Sequence, residues 1–360
     1  MGGDMKTPLF LVALVLLLMA SPRAVAIDGA RQYLNKPDEW YRSDEGRRVA
    51  SNILSYQSDR GGWPKNVDTT ARPYSGADRA KDLAPTFDNG ATTDELRFLG
   101  RAWTATHDAR YQAAYLKGYD YIIAAQYPTG GWPQFWPPPA TSYHRHITFN
   151  DDAMVRLMYF LRDAAPLLDP DRRSLSKRAF ERGVDCILKC QVRVDGKLTA
   201  WCAQHDEKDY SPRPGRSFEL VSLSGSESVG ITRLLMSLDQ PSPEVVRAVE
   251  GAVAWFESAR LTGIKVVQRR DANGPRGFDK VVVQDVNAPP LWARFYDIRT
   301  NKPIYSDRDG VAKSRLADIG YERRNGYAWL GEWPRGLLEK EYPAWRAKWS
   351  SRIPHQSPNQ

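Results

Sequence analysis

Two short segments, Thr86-Phe87-Asp88-Asn89-Gly90-Ala91-Thr92 and Ile147-Thr148-Phe149-Asn150-Asp151-Asp152-Ala153-Met154, set an aromatic residue and a cluster of Asp and Asn side chains immediately before a run of helical periodicity. Asp and Asn are favoured N-caps, and one residue of each cluster is expected to serve as one. The remaining oxygens exceed what capping needs, and they recur at two helix starts. Hard oxygens in that number suit Ca2+, which takes about six to eight ligands and accepts water and substrate oxygens among them. Zinc and its neighbours prefer imidazole or thiolate, and the five histidines show no ligand-spaced cluster beyond His144-x-His146.

A cationic set accompanies these carboxylates. Arg213 and Arg216 sit in Ser211-Pro212-Arg213-Pro214-Gly215-Arg216-Ser217-Phe218-Glu219-Leu220, a proline-stiffened loop that closes on Ser222-Leu223-Ser224-Gly225-Ser226-Glu227-Ser228 before a helix. Arg294, Arg308 and Lys208 complete the set. A guanidinium fork matches a carboxylate bidentately, although an ordinary arginine is solvated or paired with Asp or Glu, and Asp297, Asp307 and Asp309 are at hand. Arg308 lies in the turn-forming Ser306-Asp307-Arg308-Asp309-Gly310, which displays its side chain from a fixed backbone. Carboxylates for a cation and arginines for a ligand's own carboxylates are the two halves of a site for an acidic polymer.

Such residues need rigid elements behind them. Helical periodicity of about 3.6 runs through 45–55, 93–106, 109–125, 153–164, 175–190, 226–236, 243–259 and 334–348. Asp108, Asn150 or Asp151, and Ser242 before Pro243 stand where N-caps belong. Eight helices with long connections predict a mostly α fold, an incomplete (α/α) toroid or barrel of helical hairpins whose loops build a groove. Val281-Val282-Val283 is the clearest strand, predicting a small β element. Gly61-Gly62-Trp63-Pro64-Lys65-Asn66 returns as Gly130-Gly131-Trp132-Pro133-Gln134-Phe135, after Gln57 and Gln126 respectively. Glycine permits the helix stop, proline prevents resumption, and Trp63 and Trp132 are expected to lie over the loops as apolar lids. Phe135-Trp136 cannot all point inward and offers a sugar-stacking platform.

The N-terminal layout is that of an exported protein. Lys6, the apolar run 9–20 and small residues around Ala24-Val25-Ala26 have the layout of a signal peptide cleaved after Ala26. The run is too short to span a bilayer, which takes roughly 20 apolar residues. This leaves a single catalytic domain over 27–360, secreted or periplasmic, with no membrane attachment after cleavage. The 360 residues carry a net charge of +8, a mild basicity compatible with nucleic acid, anionic membranes or acidic polysaccharide. No basic run interleaved with stacking aromatics supports nucleic acid as a partner. Three cysteines, Cys186, Cys190 and Cys202, cannot all pair in one chain and read as core residues, the first two one helical turn apart; a bond from Cys202 to either stays open.

Taken in order, these motifs resemble the family 10 pectate lyases. Ala200-Trp201-Cys202-Ala203-Gln204-His205-Asp206, Trp292-Ala293-Arg294-Phe295-Tyr296 and Arg308-Asp309-Gly310 add to the likeness, which covers about residues 30–340. The resemblance implies an enzyme that cleaves α-1,4-polygalacturonate by Ca2+-dependent β-elimination, and a monomer is expected. It implies that Asp88 and Asp151 are the acidic residues around the ion and substrate; from the residues themselves Asp152 is expected to join them as a ligand, and Asn89, Trp136, Lys208 and Arg213 to meet substrate with Asp88. Arg216 falls on the base position, with Arg213 as its competitor, and Arg294 and Arg308 fall on substrate-contacting arginines. An arginine base needs its pKa, ordinarily above 12, depressed by Ca2+ and cationic neighbours. Two other readings use the same residues: a hydrolase of acidic sugars with Asp88 and Asp151 as acid and base, and a pectin-binding protein without turnover. Whether His205 and Asp206 brace their loop or touch substrate is open between the two, with bracing favoured.

Overall fold

The apolar periodicity becomes amphipathic helices in a computed structural model that describes residues 29–76 and 83–350; the leader at 1–26 lies outside the described residues. In chain order the α-helices are α1 Asp38–Arg42, α2 Asp44–Ser55, α3 Thr93–Thr106, α4 Ala109–Ala125, α5 Ala153–Asp163, α6 Pro170–Cys190, α7 Glu227–Met236, α8 Pro243–Ser258, α9 Tyr321–Gly326 and α10 Tyr342–Ser350. His107, in the left-handed conformation, ends α3, and Asp108 caps α4 by accepting from the Arg110 N–H at 2.9 Å. A connection this short makes α3 and α4 an antiparallel hairpin. α5 with α6 and α7 with α8 repeat the pairing. α3, α5 and α7 touch in succession, and so do α2, α4, α6 and α8, giving two rows of helices.

One device is repeated four times along the row of α2, α4, α6 and α8. The indole N–H groups of the buried Trp63, Trp132, Trp201 and Trp292 donate to the carbonyls of Ile53, Ile122, Ile187 and Phe256, at 2.7 to 2.9 Å. Each bond plugs a carbonyl near the end of α2, α4, α6 or α8, where the helix leaves acceptors unused. Gln57, Gln126 and Gln191 follow the ends of α2, α4 and α6. Each donates once to its own loop and once to the next helix of the row, at Ala114, Ala179 and Ala248. Gly61 and Gly130 are required where these loops press on α4 and α6. Both have positive φ, and a Cβ there would sit 2.4 Å from the Lys117 carbonyl oxygen and 2.2 Å from that of Arg182. The lids expected at Trp63 and Trp132 are thus members of a series of four. Trp132→Phe, which orphans the Ile122 carbonyl, is expected to cost about 1–3 kcal/mol, read from the urea midpoint of unfolding.

Four expectations need correction. The helix over 334–348 is split into a π-helical turn, Leu337–Glu341, and α10, while α6 starts five residues before the periodicity does, at Pro170 behind the Asp169 cap. Neither carboxylate cluster caps its helix: the residues before α3 and α5 are Thr92 and Asp152, both at positive φ and neither making a side-chain cap bond. The strand foreseen at 281–283 is longer, Phe278–Gln284, paired antiparallel with Ile264–Arg270 so that Val267 faces Val281. Caps at Asp108 and Ser242 form as expected. All three cysteines are buried and unpaired, as the core reading has it. A second, smaller core of Phe218, Phe295, Tyr305, Leu316, Ile319 and Trp329 supports the arginine-bearing loops.

Candidate active site

The chain enters α3, α5 and α7 through three adjacent turns, at Asp88–Gly90, Asn150–Asp152 and Ser226-Glu227. Buried Phe87 and Phe149 pin the first two from beneath. Asn89, Asp151 and Asp152 all adopt positive φ, a conformation that costs about 1–3 kcal/mol for a residue other than glycine. This strain aims the carboxylates away from the helix ends they would otherwise cap. Asn89, Asp151, Asp152, Glu227, Arg156 and Arg294 line a cavity of about 340 Å³ beside Trp333.

Arg294 is the cation of this cavity. One nitrogen donates to Asp151 Oδ1 at 3.0 Å and to the buried Glu227 carboxylate, which also accepts from the Ser224 hydroxyl. Its guanidinium lies 4.9 Å from the centre of the Tyr327 ring. Burial works against its charge, but Glu227, Tyr327 and Asp151 outweigh burial and hold its pKa above the ordinary value. Asp152 behaves oppositely: burial first, then the negative charges of Glu227 and Asp151, push its carboxyl above the usual range. Gly230 makes this position accessible, since a Cβ there would lie 2.2 Å from Asp152 Oδ1. Asp151, Asp152 and Glu227, with Asn89 beside them, bring to one cavity hard-oxygen donors of the kind Ca2+ takes, although their ligand atoms are not drawn together within 4.8 Å.

Arg216 stands next to this cavity. It donates to Glu219 Oε1 at 2.5 Å, its own N–H bonds Glu219 Oε2 at 2.9 Å, and the Tyr327 hydroxyl donates to Glu219 Oε1 at 2.8 Å. Tyr327 therefore touches both arginines, its ring centre 5.7 Å from the Arg216 guanidinium. Burial alone would lower the pKa of Arg216, but the hydrogen bond and charge of Glu219 raise it overall. That is opposite to the depression an arginine base requires, so in this arrangement Arg216 is a charged anion-binding group. Arg308 binds Glu322 in a fork at 3.2 Å for both bonds, and not Asp297, Asp307 or Asp309. Its loop meets the Arg216 loop, Gly310 lying against the Ser217 carbonyl.

Other expected site residues are placed elsewhere. Arg213 holds Asp206 at 2.9 Å, and Lys208 is exposed on the following turn, where its N–H also bonds Asp206. His205 is fully buried. Its Nδ1 lies 2.7 Å from the Tyr210 carbonyl and its Nε2 accepts from the Cys202 N–H at 3.1 Å, so it braces the loop. His146, Asp206 and Glu207 bring potential ligand atoms within 4.8 Å of one another, but Arg145 and Arg213 already engage the two carboxylates. The Phe135-Trp136 platform is divided. Phe135 lies under Lys65, whose ammonium pairs with Asp88, whereas Trp136 faces a different cavity among Arg60, Lys117 and Arg172. Successive residues of an extended segment point to opposite sides, and Phe135 bridges Thr86 in that manner.

Sequence reading passed over Glu219, Glu227, Arg156, Tyr327 and Lys65. Glu227 had a signal: it begins the third helix of a series whose first two members carry Asp88 and Asp151. Tyr327 had none, because its partners are distant in the chain.

Among known proteins, the family profile described as pectic acid lyase matches residues 57–338. A family 10 polysaccharide lyase from Cellvibrio cellulosa, solved as a mutant in complex with trigalacturonic acid, is 34% identical over 89% of this chain and 99% of that one, with a TM-score of 0.74. A second structure of the family 10 polysaccharide lyase from Cellvibrio cellulosa is also 34% identical, covering 87% and 95%, again with a TM-score of 0.74. A search of curated proteins returned no match. Among the described residues no helix is long and apolar enough to cross a membrane.

Proposed function

Because the chain belongs to the pectic acid lyase family and is a polysaccharide lyase, we propose that it cleaves α-1,4-polygalacturonate by Ca2+-dependent β-elimination, leaving a 4,5-unsaturated uronate at the new end. One observation carries this reading: Arg294 is planted among Asp151, Asp152 and Glu227 in a cavity flanked by a second arginine, Arg216. The neighbour's trigalacturonic acid supports the substrate class.

The reaction removes the proton from C5, next to the uronate carboxylate, and expels the glycosidic oxygen from C4. Asp151 and Asp152, with Asn89, would hold the ion, which when bound draws charge from the uronate carboxylate and so acidifies C5–H. Arg294, fixed by Glu227 and Asp151, stabilises the negative charge that builds on the same carboxylate. Arg216, once it has given its own proton to solvent, accepts the C5 proton. It does so only after leaving Glu219, and its 44% exposed side chain has room to swing toward substrate. Arg308 binds a uronate farther along the groove after exchanging Glu322 for it, while Arg213 and Lys208 serve an outer subsite. The helical rows form an incomplete toroid. The enzyme is a monomer with one catalytic domain over 27–360, exported by the leader at 1–26.

A base that must first lose its proton makes turnover rise with pH, so an alkaline optimum is expected. The decisive assay is near-ultraviolet absorbance growth on polygalacturonate at alkaline pH, with and without a chelator. Growth that the chelator abolishes and added Ca2+ restores is the expected result. Reducing ends without new absorbance would indicate hydrolysis, and growth indifferent to chelation would remove Ca2+ from the mechanism.

A further inference from the structure

Three cations share one construction, in which a buried carboxylate holds a more exposed cationic side chain, and His144 lies within electrostatic reach of two of them, Lys65 and Arg216. Glu219 is 4% exposed beneath Arg216 at 44%, Glu227 is 2% exposed beneath Arg294 at 10%, and Asp88 is 5% exposed beneath Lys65 at 26%. Burying a carboxylate is costly unless it is paired, and its effect here is to hold each cation in place. The first two pairs belong to the cationic machinery already described. The third contains Lys65, which has been given no role.

Its surroundings suit a sugar acid. The Lys65 ammonium lies 5.3 Å from the centre of the Phe135 ring, whose edge meets His144 at 4.9 Å. Tyr143 lies against His144 at 4.0 Å. Burial, then the positive charge of Lys65, pushes the His144 pKa down, so this neighbour is neutral. An ammonium has three donors and no fixed fork; with one spent on Asp88, two remain for an incoming anion. Asp88 itself does not line the cavity shared by Asp151 and Asp152.

We propose that Lys65 is a uronate-binding residue of the groove, its ammonium taking the carboxylate of one galacturonate unit while Phe135 lies against that unit's ring, and that Asp88 is its anchor. Asp88 is then a positioning residue acting through Lys65, and not a ligand of the ion. The inference rests on the reading above that polygalacturonate occupies this groove.

Calorimetric titration with trigalacturonate tests it without turnover. Lys65→Met and Asp88→Asn are each expected to weaken binding about ten- to a hundredfold, the scale of a lost charged hydrogen bond. Their combination should be no weaker than Lys65→Met alone, because the two side chains act as a unit. Titration of Asp88→Asn with Ca2+ in the absence of sugar should match the unmodified protein. Two results would overturn the proposal: trigalacturonate binding unchanged in Lys65→Met, or Ca2+ affinity lost in Asp88→Asn, which would make Asp88 a metal ligand and Lys65 its counter-ion. If Lys65→Met does not fold, Phe135→Leu leaves the ion pair in place and is expected to weaken trigalacturonate severalfold; unchanged binding there is equally adverse. An unmodified protein that binds no trigalacturonate would overturn the substrate reading itself.

Discussion

Arg216→Ala is expected to lower kcat on polygalacturonate by about a hundred- to ten-thousandfold, the usual range for losing a positioned general base, with a much smaller change in KM. Glu219 keeps two donors in that variant, the backbone N–H of residue 216 and the Tyr327 hydroxyl. The protein should therefore fold, and the loss can be read as chemistry. Arg216→Lys sharpens the test through its pH profile. The rising limb of kcat follows the pKa of the base, since the neutral form works and its fraction grows with pH. Lysine titrates near 10.4, roughly two units or more below arginine, so residual activity should rise at lower pH than in the unmodified enzyme. A limb that stays in place would mean that another group takes the proton, and undiminished turnover in Arg216→Ala would dismiss the base assignment altogether.

Arg294→Met is expected to damage activity and stability together. Glu227 is almost wholly buried and would retain the Ser224 hydroxyl but lose its cation. Removing one partner of such a pair costs about 3–5 kcal/mol, because a charge is left buried without compensation. Thermal unfolding should move down by roughly 10 °C. Adding Glu227→Gln removes the stranded charge and should recover most of the stability, while turnover stays depressed because no cation faces the uronate. If the double variant regained turnover as well, Arg294 would be a structural counter-ion and its place in the mechanism would be lost. If Arg294→Met unfolded no earlier than the unmodified enzyme, Arg294 would not be holding the turns of Asp151 and Glu227 together.

These two arginines also mark where sequence reading reached its limit. Arg216 and Arg294 stood out by their motifs, yet their partners did not. Arg216 is expected from its loop to await an anion, and the fold supplies Glu219 three residues away. A depressed pKa is what the base role asks for, and the observed partner raises it. For Asp88, the same motif that suggests a metal ligand leaves out Lys65, which reaches it from 23 positions earlier.

The longer helices, the caps at Asp108 and Ser242, the glycine–tryptophan loops and the inventory of carboxylates and arginines were determined by the sequence alone. Periodicity, chain stops and N-cap chemistry act over a few residues, and family motifs survive as contiguous strings. Tertiary structure alone decided which charges meet. Arg294 lies 143 positions from Asp151 and 67 from Glu227, and Tyr327 lies 108 from Glu219. Such contacts arise from the packing of α3, α5 and α7 side by side, a long-range arrangement that local periodicity does not encode. Whether a side chain caps a helix or faces a cavity depended on it too, since Asp151 and Asp152, both at positive φ, line the cavity with Arg294 instead of capping α5.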